Sequence, residues 1–83
     1  MDSVTHDIDA IGLLCPLPVL RARKVLAGAK KGTVVRLRAT DPAAVIDVPH
    51  FCSEAGHEFI GMETVDEVQH YLIRCGTGDT SRG

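Results

Sequence analysis

Residues 6–27 read HDIDAIGLLCPLPVLRARKVLA, and this stretch sets the beginning of the fold. Its first five residues alternate between polar and apolar types, which predicts a half-buried strand with Ile8 and Ala10 facing the core. Pro16 predicts the first residue of a helix, because the N–H that proline lacks would have no helical partner at that position. Apolar residues at helical spacing extend this helix to about Ala27. The stretch therefore predicts a strand, a loop and a helix.

The rest of the sequence predicts three more strands and a second helix. The strands are predicted at residues 33–40, 57–62 and 68–75, and the helix at residues 42–55. Asp41 and Pro42 have the residue types of a helix N-cap and first turn, and Pro49 predicts a kink or a break in that helix. A turn is expected near residues 65–66. The order β-α-β-α-β-β favours a two-layer α/β (α+β) sandwich, with two helices on one face of a four-stranded sheet.

Alternation within two strands predicts which side chains form the core. The inward faces hold Val35, Leu37 and Ala39 in the second strand and Tyr71, Ile73 and Cys75 in the last. Arg36 and Arg38 are expected on the opposite face.

Composition excludes several classes of protein. The 83 residues are 45% hydrophobic, 24% charged and 4% aromatic, which is typical of one globular domain. No apolar run approaches the ~18–20 residues of a membrane span, and residues 1–7 lack the pattern of a signal peptide. We therefore expect a cytoplasmic monomer with no membrane contact. Its single domain is expected over residues 1–76, with a flexible tail over residues 77–83.

Charge is unevenly distributed along the chain. Seven of the nine basic residues fall between Arg21 and Arg38 without an acidic residue among them, and seven acids follow between Asp41 and Glu67 without a base. This pattern indicates either a basic patch for an acidic partner or nucleic acid, or solvated helix and strand surface. The scarcity of aromatic residues argues against a surface that stacks single-stranded bases.

Cys15 has the sequence surroundings of a reactive thiol. If Pro16 is the first helical residue, Cys15 is the N-cap, and the helix dipole should stabilise its thiolate and lower its pKa. Positive charge from Arg21, Arg23 and Lys24 should add to this effect. No second cysteine lies two or three residues away, so a dithiol mechanism is disfavoured. The alternative is a buried structural cysteine that happens to precede a proline.

The other two cysteines, Cys52 and Cys75, are expected in the core. A second sulfur-accepting role for Cys52 is the alternative for that residue. His50, Cys52 and His57 match no zinc-ligand spacing, so no metal site is predicted.

Residues 9–18, Asp-Ala-Ile-Gly-Leu-Leu-Cys-Pro-Leu-Pro, resemble the signature of the TusA/SirA-like sulfur-carrier family, Asp-x-x-Gly-Leu-x-Cys-Pro-x-Pro. The resemblance runs from about Thr5 to Gly76. Further matching segments lie at residues 23–24, 41–43, 47–52, 57–58 and 71–74.

The resemblance implies a mixed sheet and a sulfurtransferase that relays sulfur as a persulfide on Cys15, with no cofactor besides that covalent sulfur. It implies a cysteine desulfurase or another sulfur donor, and a downstream acceptor protein. The pathway would be tRNA 2-thiolation, sulfur oxidation or molybdenum-cofactor metabolism, without direct nucleic-acid binding by this chain.

Residue roles follow from the same resemblance. Cys15 is the expected catalytic residue. Support for the site is expected from Pro16, Pro18, Gly12 and Asp9, and partner docking from Leu17, Arg23, Lys24 and Asp41. Three positions depart from the tRNA-thiolation members: Leu17 replaces Glu, Ile46 a basic residue and Cys75 Lys. Leu17 is expected to be exposed next to Cys15 and so to change the docking surface. These departures leave the partner open.

Two alternatives to a sulfur carrier remain at this stage. One is a non-catalytic regulatory or interaction module of the same fold, in which Cys15 is incidental. The other is nucleic-acid binding through the basic segment.

Overall fold

The computed structural model describes residues 4–76, and the tail predicted at residues 77–83 lies outside them. The elements are β1 (Val4–Ala10), α1 (Leu17–Ala27), β2 (Val34–Ala39), α2 (Ala44–Ala55), β3 (Glu58–Val65) and β4 (Val68–Arg74). Their order is the predicted β-α-β-α-β-β. The α+β fold predicted from the sequence is confirmed.

The four strands form one mixed sheet in the order β1-β2-β4-β3. β1 pairs with β2 in parallel, and Ala10 lies opposite Ala39 at the end of both strands. β4 is antiparallel to both of its neighbours, β2 and β3. Because β1 and β2 are parallel, the loops that follow them leave the sheet at the same edge. This edge carries the site described below.

The core lies between the sheet and the helices. The predicted inward residues of β2 and β4 are buried, together with Ile8 and Ala10 of β1. The helices contribute the buried side chains Ala22 and Leu26 from α1 and Val48, Phe51 and Cys52 from α2. The alternation seen in the sequence is therefore confirmed.

The β2 part of the basic segment is paired with acidic residues. On the face of the sheet away from the core, Arg36 and Arg38 both contact the carboxylate of Asp7, at 3.1 and 3.2 Å. Arg38 also lies 3.9 Å from Asp9 Oδ2, and Arg21 of α1 donates to the Asp9 carbonyl at 3.2 Å. The pairing of Arg36 and Arg38 with acids supports the interpretation as solvated surface for the β2 part of the segment.

Two predicted boundaries are wrong. α2 begins at Ala44 rather than Pro42, and the residues before it form a turn in which the Ala44 N–H donates to the Asp41 carbonyl at 3.0 Å. α2 also continues through Pro49 as one helix. The carbonyl that loses its partner belongs to Val45, which is 45% exposed, so water can replace the missing bond.

The second error concerns β3, which extends to Val65 rather than ending near Met62. A two-residue turn at Asp66 and Glu67 then joins it to β4. Both turn residues have positive φ, 51° and 67°, as the tightest hairpins require.

Candidate functional site

Cys15 lies on an ordered loop, residues 11–16, at the edge where β1 and β2 end. Gly12 has φ +84°, a conformation that glycine adopts without strain, and its N–H donates to Thr40 Oγ1 at 3.0 Å. The first N–H of the loop, that of Ile11, donates to Asp9 Oδ1 at 3.0 Å. Asp9 and Gly12 therefore fix the path of the chain into the loop.

Asp41 ties this loop to the segment that follows β2. Its Oδ2 accepts the Cys15 N–H at 2.7 Å, while its Oδ1 accepts the Ala43 N–H. Its backbone carbonyl accepts a bond from Gln69 Nε2 at 3.2 Å. Asp41 is only 7% exposed, so it offers little surface to a docking partner. The prediction that Asp41 is the helix N-cap is wrong, because Ala43 occupies that position.

Cys15 itself is not the N-cap of α1. The helix begins at Leu17 with Pro16 in the N-cap position, and the Cys15–Pro16 peptide bond is cis. Pro16 and Pro18 have no N–H to offer, and the Leu17 N–H donates to the Leu14 carbonyl at 2.8 Å. The first turn therefore does not direct a set of free N–H groups at the sulfur. Pro18 is fully buried and anchors this turn in the core.

The predicted lowering of the Cys15 pKa is also wrong. The pKa of this thiol is raised, chiefly by hydrogen bonding to the Asp47 carboxylate. Partial burial and the negative charges of Asp47 and Asp41 raise it further. Carboxylates brought in by α2 and its preceding turn therefore disfavour the thiolate at this position.

The sulfur opens onto a shallow surface depression of about 390 Å³, which we call the Cys15 hollow. Its walls come from α1 and α2 and include Val19, Arg23, Asp47, His50, Phe51 and Glu54. The Arg23 guanidinium lies over the Phe51 ring, 5.0 Å from its centroid. This arrangement brings the predicted residues Cys15 and Arg23 together.

Lys24 lies elsewhere. With Leu17 and Arg21 it lines a separate groove of about 550 Å³ between α1 and β1. Arg23 and Lys24, predicted as one docking pair, thus flank α1 on different sides.

Three exposed apolar side chains lie close in sequence to Cys15 or to Asp47. Leu14 is 65% exposed, Leu17 48% and Ile46 75%. We call these three residues the apolar rim. The predicted exposure of Leu17 beside Cys15 is confirmed. An apolar surface of this kind next to a nucleophile suits contact with a protein partner.

The three cysteines differ in solvent exposure. Cys15 is exposed, whereas Cys52 and Cys75 are each 1% exposed, which confirms the prediction that both lie in the core. Burial raises the pKa of Cys52 to about 11. The Cys75 thiol donates to the Leu26 carbonyl at 3.5 Å. Within residues 4–76, no three His, Cys, Asp or Glu side chains cluster as metal ligands.

A buried polar pair supports Asp41 from the sheet. The Tyr71 hydroxyl donates to Gln69 Oε1 at 2.5 Å, and Gln69 in turn donates to the Asp41 carbonyl. Burial raises the pKa of Tyr71 to about 12, with the charges of Asp41 and Asp47 adding to the effect. The site loop is thus connected to the centre of the core.

Tyr71 is the chain's only tyrosine, which makes its ionisation directly measurable. In a fast pH jump, we expect tyrosinate absorbance of the native protein to rise near pH 12, rather than near the ~10 of an unfolded chain. Unfolding free energy should fall over this interval, because the unfolded chain releases its phenolic proton first. The Tyr71→Phe variant should not show this part of the fall in unfolding free energy at alkaline pH. A native titration at the ordinary value would contradict the prediction.

A family model described as sulfurtransferase TusA matches residues 6–75. The chain belongs to the TusA family. A SirA-like protein of known structure from Desulfitobacterium hafniense is 28% identical, with a TM-score of 0.76. That match covers 87% of this chain and 99% of the other. TusA-family membership implies a sulfur-carrier role, with contacts to donors and acceptors of sulfur. No helix within residues 4–76 is long and apolar enough to cross a membrane.

One residue of the site was not assigned a role from the sequence of this TusA-family chain. Asp47 stands in a segment that matched the family, yet nothing in its immediate neighbours indicates a contact with Cys15. The sequence offered only an indirect indication. Asp47 is an acidic residue in the first turn of a helix that starts at the same edge of the sheet as the loop carrying Cys15.

Proposed function

We propose that this protein is a sulfur carrier that accepts sulfane sulfur as a persulfide on Cys15 and passes it to an acceptor protein. The observation that carries the proposal is the contrast among its thiols. Cys15 is exposed on a loop fixed by hydrogen bonds, while the other two cysteines are buried. Membership of the TusA family supports the same role.

The transfer is an exchange between thiol and persulfide. Cys15–SH and a donor persulfide R–S–SH give Cys15–S–SH and R–SH, so no electrons are gained or lost. Delivery to the acceptor repeats the exchange in the other direction. The carrier contributes access to Cys15, control of its proton and choice of partner.

We propose a cysteine desulfurase as donor and a protein thiol as acceptor, in the cytoplasm, where such thiols stay reduced. The final product is a 2-thiolated tRNA or the product of a related sulfur pathway. Because Leu17 and Ile46 belong to the apolar rim, their departure from the tRNA-thiolation members supports a partner with an apolar docking surface.

The test is sulfur loading followed by intact-protein mass spectrometry. The protein is incubated with a cysteine desulfurase and cysteine, and peptides are then mapped. We expect a gain of one sulfur atom on the Cys15 peptide, lost on reduction. If neither a desulfurase nor an inorganic polysulfide loads the protein, the carrier function is wrong. The regulatory or interaction module of the same fold then becomes the better reading.

Basic residues of α1 are expected to steer partners towards the site. Lys24→Ala should slow sulfur delivery by about threefold at low ionic strength, with little effect at high salt, because screening removes long-range attraction. Lys31→Ala is the matched control, since Lys31 is an exposed lysine in the turn that follows the C-terminal end of α1, while Cys15 precedes its N-terminal end. Single-turnover rates across a salt series give the measurement. A Lys24→Ala effect of the same size at every salt concentration would contradict electrostatic steering.

A further inference from the structure

The charges that face Cys15 come from three parts of the chain. α2 contributes Asp47, His50 and Glu54 to the Cys15 hollow, and α1 contributes Arg23. The segment after β2 contributes Asp41, whose Oδ2 lies 2.7 Å from the Cys15 nitrogen.

These charges are not balanced by ion pairs. The only guanidinium in the hollow lies over the Phe51 ring. Among the side chains of residues 4–76, no basic nitrogen forms an ion pair with Asp41 or Asp47. A thiolate at Cys15 would therefore lie beside two uncompensated carboxylates. Like charges at short range disfavour the ionised form, so the uncharged thiol is the stable form of the free protein.

Of the two carboxylates, Asp47 is the one available to the thiol. Both oxygens of Asp41 already accept backbone N–H groups, those of Cys15 and Ala43. Asp47 lines the hollow and is half-buried, and no hydrogen bond to its carboxylate from another part of residues 4–76 competes for it. The raised pKa of the Cys15 thiol, with Asp47 as its first cause, agrees with this geometry.

We infer that Asp47 is a positioning residue for sulfur transfer, whose negative charge in the Cys15 hollow disfavours loss of the Cys15 proton, so that the free carrier rests as a thiol and ionises only when a docked partner displaces or neutralises the carboxylate. This inference rests on the proposed carrier function. In the loading step, Cys15 Sγ attacks the outer sulfur of the donor persulfide R–S–SH. The donor S–S bond breaks, and its electron pair stays on the inner sulfur. That sulfur takes up the proton given up by Cys15 and leaves as R–SH.

The test is the pH dependence of Cys15 alkylation by iodoacetamide, a neutral reagent, followed on the Cys15 peptide of the full chain by mass spectrometry. Asp47→Asn should move the profile to lower pH and speed alkylation about twofold to threefold at neutral pH. At pH values where both proteins are fully ionised, the variant should react no faster than the wild type, because a less basic thiolate is a weaker nucleophile. A change that merely loosened the loop would speed alkylation at every pH.

Two variants control the experiment. Asp47→Glu keeps the carboxylate and should restore the wild-type profile. Glu54→Gln removes a charge from the same hollow and should move the profile much less than Asp47→Asn does. Circular dichroism checks folding, and Asp47→Ser replaces Asp47→Asn should the latter unfold.

Two results would overturn the inference: an Asp47→Asn profile that superimposes on the wild type, or a Glu54→Gln shift of equal size. Because alkylation needs no sulfur donor, it reports on Asp47 even if persulfide loading fails. Failure of loading with a normal Asp47 effect would therefore count against the carrier function alone.

Discussion

Cys15→Ser is expected to abolish persulfide loading while leaving the fold intact. The hydroxyl of serine cannot accept sulfane sulfur by exchange, and no other exposed thiol is present. The backbone bond from residue 15 to Asp41 does not depend on the side chain, so the loop should keep its position. We expect an unchanged melting temperature together with complete loss of the added sulfur in the mass spectrum.

The buried cysteines supply the controls for this experiment. Cys52→Ala and Cys75→Ala remove thiols that are out of contact with solvent, and both variants should load sulfur as the wild type does. The pKa of about 11 at Cys52 leaves almost no thiolate there at neutral pH. Sulfur retained by Cys15→Ser but lost on adding Cys52→Ala would instead identify Cys52 as a second acceptor.

Much of the fold was predictable because its signals are local. The alternation of Val35, Leu37 and Ala39 identifies one buried face of a strand without reference to the rest of the chain. Glycine at position 56 predicts the end of α2, and its φ of 83° is the left-handed conformation that such caps adopt. The exposure of Leu17 followed from its place between two prolines in the first turn of a helix.

The features that could not be predicted depend on residues distant in sequence. Asp41 reaches its bond to Cys15 across 26 residues, because two parallel strands end at one edge of the sheet. Asp41 therefore bonds to the Cys15 loop through one oxygen and to the Ala43 N–H through the other, and α2 starts two residues later than predicted. The residues next to Cys15 in the sequence indicate only the start of a helix and nearby basic side chains. These local features therefore predict a lowered pKa for the Cys15 thiol, whereas the pKa is raised.

Asp41→Ala is expected to have the second largest effect on transfer, through position rather than charge. The substitution leaves the Cys15 and Ala43 N–H groups without their acceptor in a buried site. The unfolding free energy should fall by about 1–3 kcal/mol, as it does when a buried hydrogen-bond partner is lost. We expect a lower urea midpoint and slower sulfur delivery in single-turnover assays, because the loop that presents Cys15 is no longer held.

Asp41→Asn separates the two contributions of this residue. It removes the negative charge but keeps one side-chain oxygen, which can still accept the Cys15 N–H at 2.7 Å. If Asp41 acts by holding the loop, the asparagine variant should deliver sulfur far faster than the alanine variant. Asp9→Ala, which removes an exposed acceptor with one bond to the same loop, should have a smaller effect than Asp41→Ala. Equal losses in the alanine and asparagine variants would show that the charge, and not the anchor, is what Cys15 requires from Asp41.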